Sequence, residues 1–363
     1  MNTTKLKNVC VVVSGSTPKS TDKRYWNGTH VWITPAELSE DSFIVTDSER
    51  HITDEAIKAT GLKSFPKGTV LLSSRAPIGK VAIAGCEMYC NQGFKNLICS
   101  ESIYNLYLYY FLKSKTAYLN SLGRGATFKE ISKGIVEDIS IPFPVYSEQI
   151  RIAKQLQKIS ELISLKKGQY RYFDDIIRSR FLEMFGDIEL NSQNMQKMMW
   201  QEVFDTQTGK LDANAAVKGG RYPFFTCAKE ISTIDEYAYD CEALLLAGNN
   251  AVGDYDVKYY KGKFNAYQRT YILMLKNRQY SYSVFKFQLE QKLRYLQLQS
   301  KGTNTRYLTM GILRSLDFIV PPIVKQQEFA QFVNATDKSK MAVQKSLDEL
   351  EILKKSLMQT YFG

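Results

Sequence analysis

Short apolar runs closed by turn residues give way twice along the chain to a long stretch in which apolar side chains recur every three or four positions. Residues 9–13, 31–33, 70–72 and 81–84 are short runs of the first half, and they read as strands. Ser14-Gly15-Ser16-Thr17-Pro18, the polar segment 73–79 and Asn91-Gln92-Gly93 carry turn chemistry around them. Residues 103–119 are apolar and aromatic all round, the pattern of a helix packed on both sides.

From residue 152 the period changes. Ile152, Leu156, Ile159, Ile163, Tyr170, Phe173, Ile177 and Met184 form one set, and Phe329, Val333, Val343, Leu347, Leu350, Leu357 and Tyr361 form a second. Each set predicts a helix with a coiled-coil seam. Lys166 and Arg180 in one, and Thr336, Lys340 and Lys354 in the other, put polar groups on that seam, which weakens it and fixes its register. Gly168 costs about 1 kcal/mol against alanine inside a helix and points to a bend or a close crossing. A helix of about 39 residues is about 58 Å long. Two helices packed each on its own domain would be the alternative.

The long stretches belong to a duplication. Residues 123–186 fall without a gap on 300–363, with Gly125/Gly302, Gly134/Gly311, Ile135/Ile312, Pro144/Pro321, Gln149/Gln326, Ala153/Ala330, Ser179/Ser356, Phe185/Phe362 and Gly186/Gly363 identical. Exchanges between them are conservative, as in Lys129/Arg306, Ile131/Leu308 and Ser132/Thr309. Upstream, 203–209 resembles 9–15, 220–226 falls on 28–34 and 245–253 on 71–79, but the offset drifts. Loops have changed length on a fixed scaffold, and such loops are where specificity sits. The predicted fold is α+β: two similar mixed α/β domains separated by two long antiparallel helices that form a coiled coil, with an internal pseudo-two-fold repeat. The divisions are 1–146, a first spacer helix 147–186, a second mixed domain 187–324 and a second spacer helix 325–363. Helices so placed would serve as a ruler, and half-sites one DNA turn apart, about 34 Å, are of that scale.

A chain of 363 residues suits two domains rather than one core. With 44% hydrophobic and 23% charged residues it reads as soluble and globular. It lacks a run of roughly 18 apolar residues, and its first residues are polar, so neither a membrane span nor a secretory signal is expected and the location is expected to be cytoplasmic. Six cysteines without a Cys-x-x-Cys suit reduced thiols, and Cys86, Cys90 and His51 have the wrong spacing for structural zinc. The net charge of +11 suits a polyanionic partner, since neutralising phosphates releases counterions; a solubility role is the plainer alternative.

Catalytic signatures are sparse. His30 and His51 are the only histidines and stand at no triad spacing. Phosphate-binding loops, a dinucleotide fingerprint, a methyl-transfer motif and a nuclease set do not stand out. No catalytic or metal-binding residue is assigned. The remaining candidates are loop residues able to hold phosphates or pair with base edges. In the first half they are Thr17, Lys19, Arg24, Thr34, Arg75, Gln92, Lys95, Arg124 and Lys129. In the second they are Lys210, Asn214, Arg221, Thr226, Asn249, Asn250, Gln268, Arg269, Lys301, Asn304 and Arg306. Arg75 falls beside the position of Asn249, and Lys129 on Arg306, so these pairs are expected to do equivalent work.

Gly209-Lys-Leu-Asp-Ala-Asn-Ala-Ala, Tyr222-Pro-Phe-Phe-Thr-Cys, Leu244-Leu-Leu-Ala-Gly-Asn-Asn and Gln268-Arg-Thr-Tyr resemble the target-recognition domain of type I restriction-modification specificity subunits. Gly15-Ser-Thr-Pro, Tyr25-Trp26, Trp32-Ile-Thr, Arg75-Ala-Pro-Ile-Gly and Asn91-Gln92 are similar to another branch of that domain. The resemblance implies a non-enzymatic subunit that binds a split, asymmetric double-stranded DNA sequence, one half per recognition domain. It further implies two docked methyltransferase subunits, with restriction subunits joined through them. S-adenosylmethionine, ATP and Mg would belong to those partners, with no cofactor in this chain. The two domains differ strongly, which implies two different half-sites. A coiled-coil protein scaffold without DNA readout is the alternative.

Overall fold

The computed structural model describes residues 2–75, 77–124 and 129–363. By its contacts the chain forms two compact units, Met1–Lys167 with Lys345–Gly363, and Gly168–Gln344. Each unit thus holds one mixed domain and a part of both long helices.

In the first unit a five-stranded sheet runs in the order β2 (Cys10–Val13), β9 (Asn96–Cys99), β6 (Val70–Leu72), β7 (Val81–Ala84), β4 (Ile44–Val45). Beside it stand a three-stranded sheet, β5 (His51–Ile52), β3 (Trp26–Ile33), β8 (Tyr89–Cys90), and the pair β1 (Thr3–Lys5) with β10 (Ser140–Pro142). The short helices are α1 (Asp54–Thr60), α2 (Asn105–Ser114), α3 (Thr116–Leu122) and α4 (Lys133–Glu137). Every residue of β6 and β7 is buried because their sheet is covered on both faces. Val70, Leu72, Val81 and Ile83 face a core shared with Tyr107, Leu108 and Phe111 of α2, while Leu71, Ala82 and Ala84 face Ile33, Phe65 and Phe94. The alternation is the period of two that a pleated strand imposes.

The second unit carries the pair β11 (Gln196–Met199) with β20 (Asp317–Val320), and the short helix α6 (Trp200–Val203). Its six-stranded sheet runs β12 (Phe204–Thr208), β18 (Thr270–Leu275), β15 (Tyr239–Ala247), β17 (Val257–Ala266), β13 (Tyr222–Phe225), β14 (Ser232–Ile234). A further pair joins β16 (Asn249–Asn250) to β19 (Arg306–Tyr307), and α7 (Tyr282–Gln291), α8 (Leu293–Gln299) and α9 (Met310–Arg314) follow the plan of α2 to α4. Leu244, Leu246 and Leu273 face one core, and Ala243, Leu245 and Ile272 the other.

The repeat is built into matched details. Ser132 and Thr309 each cap a short helix, accepting from the amides of Ile135 and Ile312 at 3.4 Å. Gly15 and Gly209 lie so close to the carbonyls of Cys90 and Ala266 that an added Cβ would meet those oxygens at 1.6 and 2.1 Å, so neither position has room for a side chain. The helix expected over 103–119 is broken in two. The amide of Lys115 bonds back only to the carbonyl of Leu112, and the turned chain lets Asn120 donate to the carbonyl of Ile78 at 2.9 Å. The chain also turns at Lys292 between α7 and α8, where the amide is shared between the carbonyls of Gln288 and Leu289.

The long helices are α5 (Tyr146–Phe185) and α10 (Ile323–Phe362), 40 residues each. In the first unit Tyr361 donates to Gln155 at 2.9 Å, Ile159 and Ile163 cluster with Leu347, Leu350 and Leu357, and Lys167 pairs with Glu351 at 3.0 Å. In the second unit Asp174 pairs with Lys340, and Phe181 and Phe185 meet Phe329 at 5.3 and 5.6 Å between ring centres. Rising numbers on α5 meet falling numbers on α10 within each unit, so the helices run antiparallel. Ile152, Leu156 and Val343 are buried, Ile177 and Val333 pack against the Phe181 cluster, and Phe173 is half-buried. Part of the predicted seam also serves the domains, since Ile152 and Leu156 belong to the same core as Tyr107. Gly168 is not a close crossing. The helix continues through it, and a Cβ there would meet nothing within 4 Å.

Candidate nucleic-acid interface

Each domain ties its polar turns together with a short backbone ladder. In the first unit, Arg75 and Arg124 both pair across a bridge with Glu130, and the amide of Ile131 donates to the carbonyl of Ser74 at 3.0 Å. The amide of Ser74 donates to the carbonyl of Gly93 at 2.8 Å, and Thr17 donates to Gln92 at 2.6 Å. Thr17, Gln92, Arg75, Arg124 and Lys129 therefore lie on one connected set of loops.

The second unit repeats this with other side chains. Asn249 pairs with Tyr307, Asn250 with Arg306, and Lys301 with Tyr307. The amide of Leu308 donates to the carbonyl of Gly248, and that of Gly248 to the carbonyl of Arg269, both at 2.8 Å. Gln268 donates to Asp212 at 2.7 Å, where Gln92 meets Thr17 in the first unit. Asn249, Asn250, Gln268, Arg269, Lys301 and Arg306 are thus brought together, with Asn304 exposed on the loop between Lys301 and Arg306. The alignment of Arg75 with Asn249 and of Lys129 with Arg306 corresponds to equivalent places in the two ladders.

Other candidates lie outside these ladders or are occupied. Arg24 is clamped by Asp22 and Glu55, and Lys19 is exposed on the preceding turn. Thr34 donates to Glu37 at 2.9 Å within a short turn. Lys210 and Asn214 are exposed near Asp212, Arg221 donates to the carbonyl of Asp235 at 3.2 Å, and Thr226 accepts from the amide of Ala228. Lys95 points inward. Its side chain is 9% exposed, and its ammonium lies 3.2 Å from Glu130.

Glu130 was not among the residues singled out by sequence, and it organises the first ladder. It accepts from Arg75 Nε at 2.9 Å with one oxygen and engages Lys95 with the other. Burial would raise its carboxyl above the ordinary value, but the hydrogen bonds from Lys95 and Arg75 outweigh this and hold it low. Its match to Tyr307 in the repeat was the available signal. The two histidines do find carboxylates that spacing did not suggest, His30 with Asp54 and His51 with Asp47, each at 2.8 Å. Among the described residues, no group of three or more His, Cys, Asp or Glu could hold a metal ion. No helix there is long and apolar enough to cross a membrane.

Two mixed domains with the same ladder and different side chains on it define a two-domain recognition protein. The type I restriction modification DNA specificity domain matches residues 1–171 and again 192–351, and the chain belongs to that family. It is 42% identical over 188 residues to the type I restriction enzyme MjaIX specificity subunit of Methanocaldococcus jannaschii, a match covering 51% of this chain and 44% of that one. The EcoDI specificity subunit of Escherichia coli is 38% identical over 36% of this chain and 28% of its own length, so these matches span less than half of those relatives. The EcoprrI specificity subunit of Escherichia coli is 24% identical over 92% of this chain and 86% of its own. In fold, the chain is similar over its whole length to the S subunit of a type I restriction-modification system from M. genitalium, with a TM-score of 0.65 at 17% identity and 96% of that chain covered.

Proposed function

We propose that this chain gives a type I restriction-modification complex its DNA sequence, binding a split, asymmetric site with one half read by each domain. The observation that carries this is the ladder itself, which occurs once in each compact unit, with Gln92 beside it in one and Asn249 and Gln268 on or beside it in the other. Asparagine and glutamine pair with base edges, while the arginines and lysines around them suit phosphates. The helices α5 and α10 would fix the unread spacer and dock two methyltransferase subunits, through which restriction subunits join. Exposed Leu165, Tyr172, Met341 and Ile352 on those helices support docking, since large apolar side chains left in water suit a protein partner.

The chain itself is non-catalytic in this reading, within a cytoplasmic complex. S-adenosylmethionine, ATP and Mg belong to the partners. The test is retention of the assembled complex on a DNA column, with binding lost steeply as salt rises. A complex that assembles but passes through at low salt would instead be a protein scaffold.

A further inference from the structure

The two ladders differ in one respect that side-chain chemistry makes specific. In the first, Glu130 divides its oxygens between two cations: Arg75 Nε at 2.9 Å and Lys95 Nζ at 3.2 Å. Exposure falls from Arg75 at 45% through Glu130 at 34% to Lys95 at 9%, so the carboxylate is anchored from the inside and holds the arginine at the surface. Lys95 Nζ is itself placed by Ser74 Oγ and the carbonyl of Phe94, both at 3.4 Å. Arg75 spends only Nε on this contact. Among the described residues its two Nη groups meet no acceptor, and they form a planar fork suited to a pair of acceptor oxygens.

In the second ladder the same places hold Asn249 and Tyr307, two uncharged side chains. What the two ladders share is cationic: Lys301 stands where Arg124 does, and Arg306 where Lys129 does. Positive charge kept at these matched places suits a ligand that is the same in every DNA sequence, the phosphodiester backbone. Arg75 has no cationic match, but it bridges to Glu130 as Arg124 does, and so stands among those charges.

We propose that Glu130 is a positioning residue that holds Arg75 for a DNA phosphate at the half-site of the first domain. This rests on the reading of the chain as a DNA specificity subunit. A plain acidic residue near DNA repels it, so removing its charge should tighten binding; removing a positioning residue should loosen binding although net positive charge rises. The two roles predict opposite signs.

The experiment measures affinity and salt dependence of the assembled complex on duplexes with and without its site, for wild type, Arg75→Ala, Glu130→Ala, Glu130→Gln and the double variant Arg75→Ala/Glu130→Ala. Arg75→Ala should weaken both duplexes alike and lower the log–log salt slope by about 1. Glu130→Ala should weaken binding severalfold, and Glu130→Gln, which keeps an acceptor for Nε and the side-chain shape, should fall between it and wild type. The double variant should match Arg75→Ala alone, because Glu130 acts through the arginine. Tighter binding by Glu130→Gln, or a Glu130→Ala loss that persists undiminished without Arg75, overturns the proposal. A change of methylated bases in Arg75→Ala would make it a base reader and overturn the phosphate assignment. Failure of wild type to bind any duplex would instead sink the reading beneath it.

Discussion

Gln149 and Gln326 occupy matched places in the two repeats and make the same bridge. Each is fully buried at the start of a long helix. The side-chain oxygen of Gln149 accepts from the amide of Tyr104 at 2.9 Å, and its nitrogen donates to the carbonyl of Pro144 at 3.0 Å. Gln326 accepts from the amide of Ser281 at 3.0 Å and donates to the carbonyl of Pro321 at 2.7 Å. One amide thus locks α5 to the start of α2, and the other locks α10 to the start of α7.

Replacing either glutamine by leucine leaves buried backbone groups without partners, at about 1–3 kcal/mol for each. Gln149→Leu and Gln326→Leu should each lower the denaturation midpoint markedly, whereas Gln157→Leu, which loses only a solvent-exposed bond to Glu161 along α5, should not. Equal midpoints in denaturant titrations would show that the bridges carry no weight.

Gly168 lies inside α5 with open space where a side chain would stand. Gly168→Ala should therefore stabilise the chain by about 1 kcal/mol through helix propensity and a less free unfolded state. A lower melting temperature would mean that the glycine serves a bend.

Lys354 is held below the ordinary lysine value, first by burial and then by repulsion from Lys113 and Lys167. For a lysine so shifted, the charged form is penalised at neutral pH, and the penalty fades once the group is neutral both folded and unfolded. Lys354→Met should raise the melting temperature at neutral pH, with the gain shrinking in strongly alkaline buffer. A gain that does not change with pH would assign the effect to packing alone.

Glu130 and Asp317 are both held below their ordinary values of 4.5 and 3.8. Burial works against the shift in each; Lys95 and Arg75 overcome it at Glu130, Lys197 and Lys292 at Asp317. Their folded values are depressed, so the stability they add is present above the ordinary values and is lost as pH falls through the lower folded ones. Melting curves taken into the acid range should show Glu130→Gln losing less stability than wild type. Parallel acid losses would mean that Glu130 gains nothing from its two cations.

Much of this fold was legible in the chain because a strand pattern and a gapless repeat survive without knowledge of contacts. Val70–Leu72 and Val81–Ala84 are strands as read, and Ser132/Thr309 turn out to be paired helix caps. The correspondence of Arg75 with Asn249 was readable to within one position, and the bridges to Glu130 and Tyr307 make it exact. What the sequence did not disclose was the direction of side chains. Lys95 looks like any surface lysine beside a turn, but only the fold puts Glu130 within reach of it from 35 residues away. For Gly168 the pattern allowed a bend or a close crossing, and only the structure removes the crossing, since propensity says nothing of what stands opposite. The break at Lys115 was hidden for a similar reason, because the apolar pattern continues through it while the hydrogen bonds do not.

The most direct measurement is the adenine methylome of cells carrying this chain with its partner subunits, compared with cells lacking it and with cells carrying Gln268→Ala. A split motif should appear only with the chain, and Gln268→Ala should relax the bases in one half of that motif while the other half and the spacer length stay unchanged. No chain-dependent split motif, or a variant that alters both halves together, would contradict the reading of one half-site by each domain.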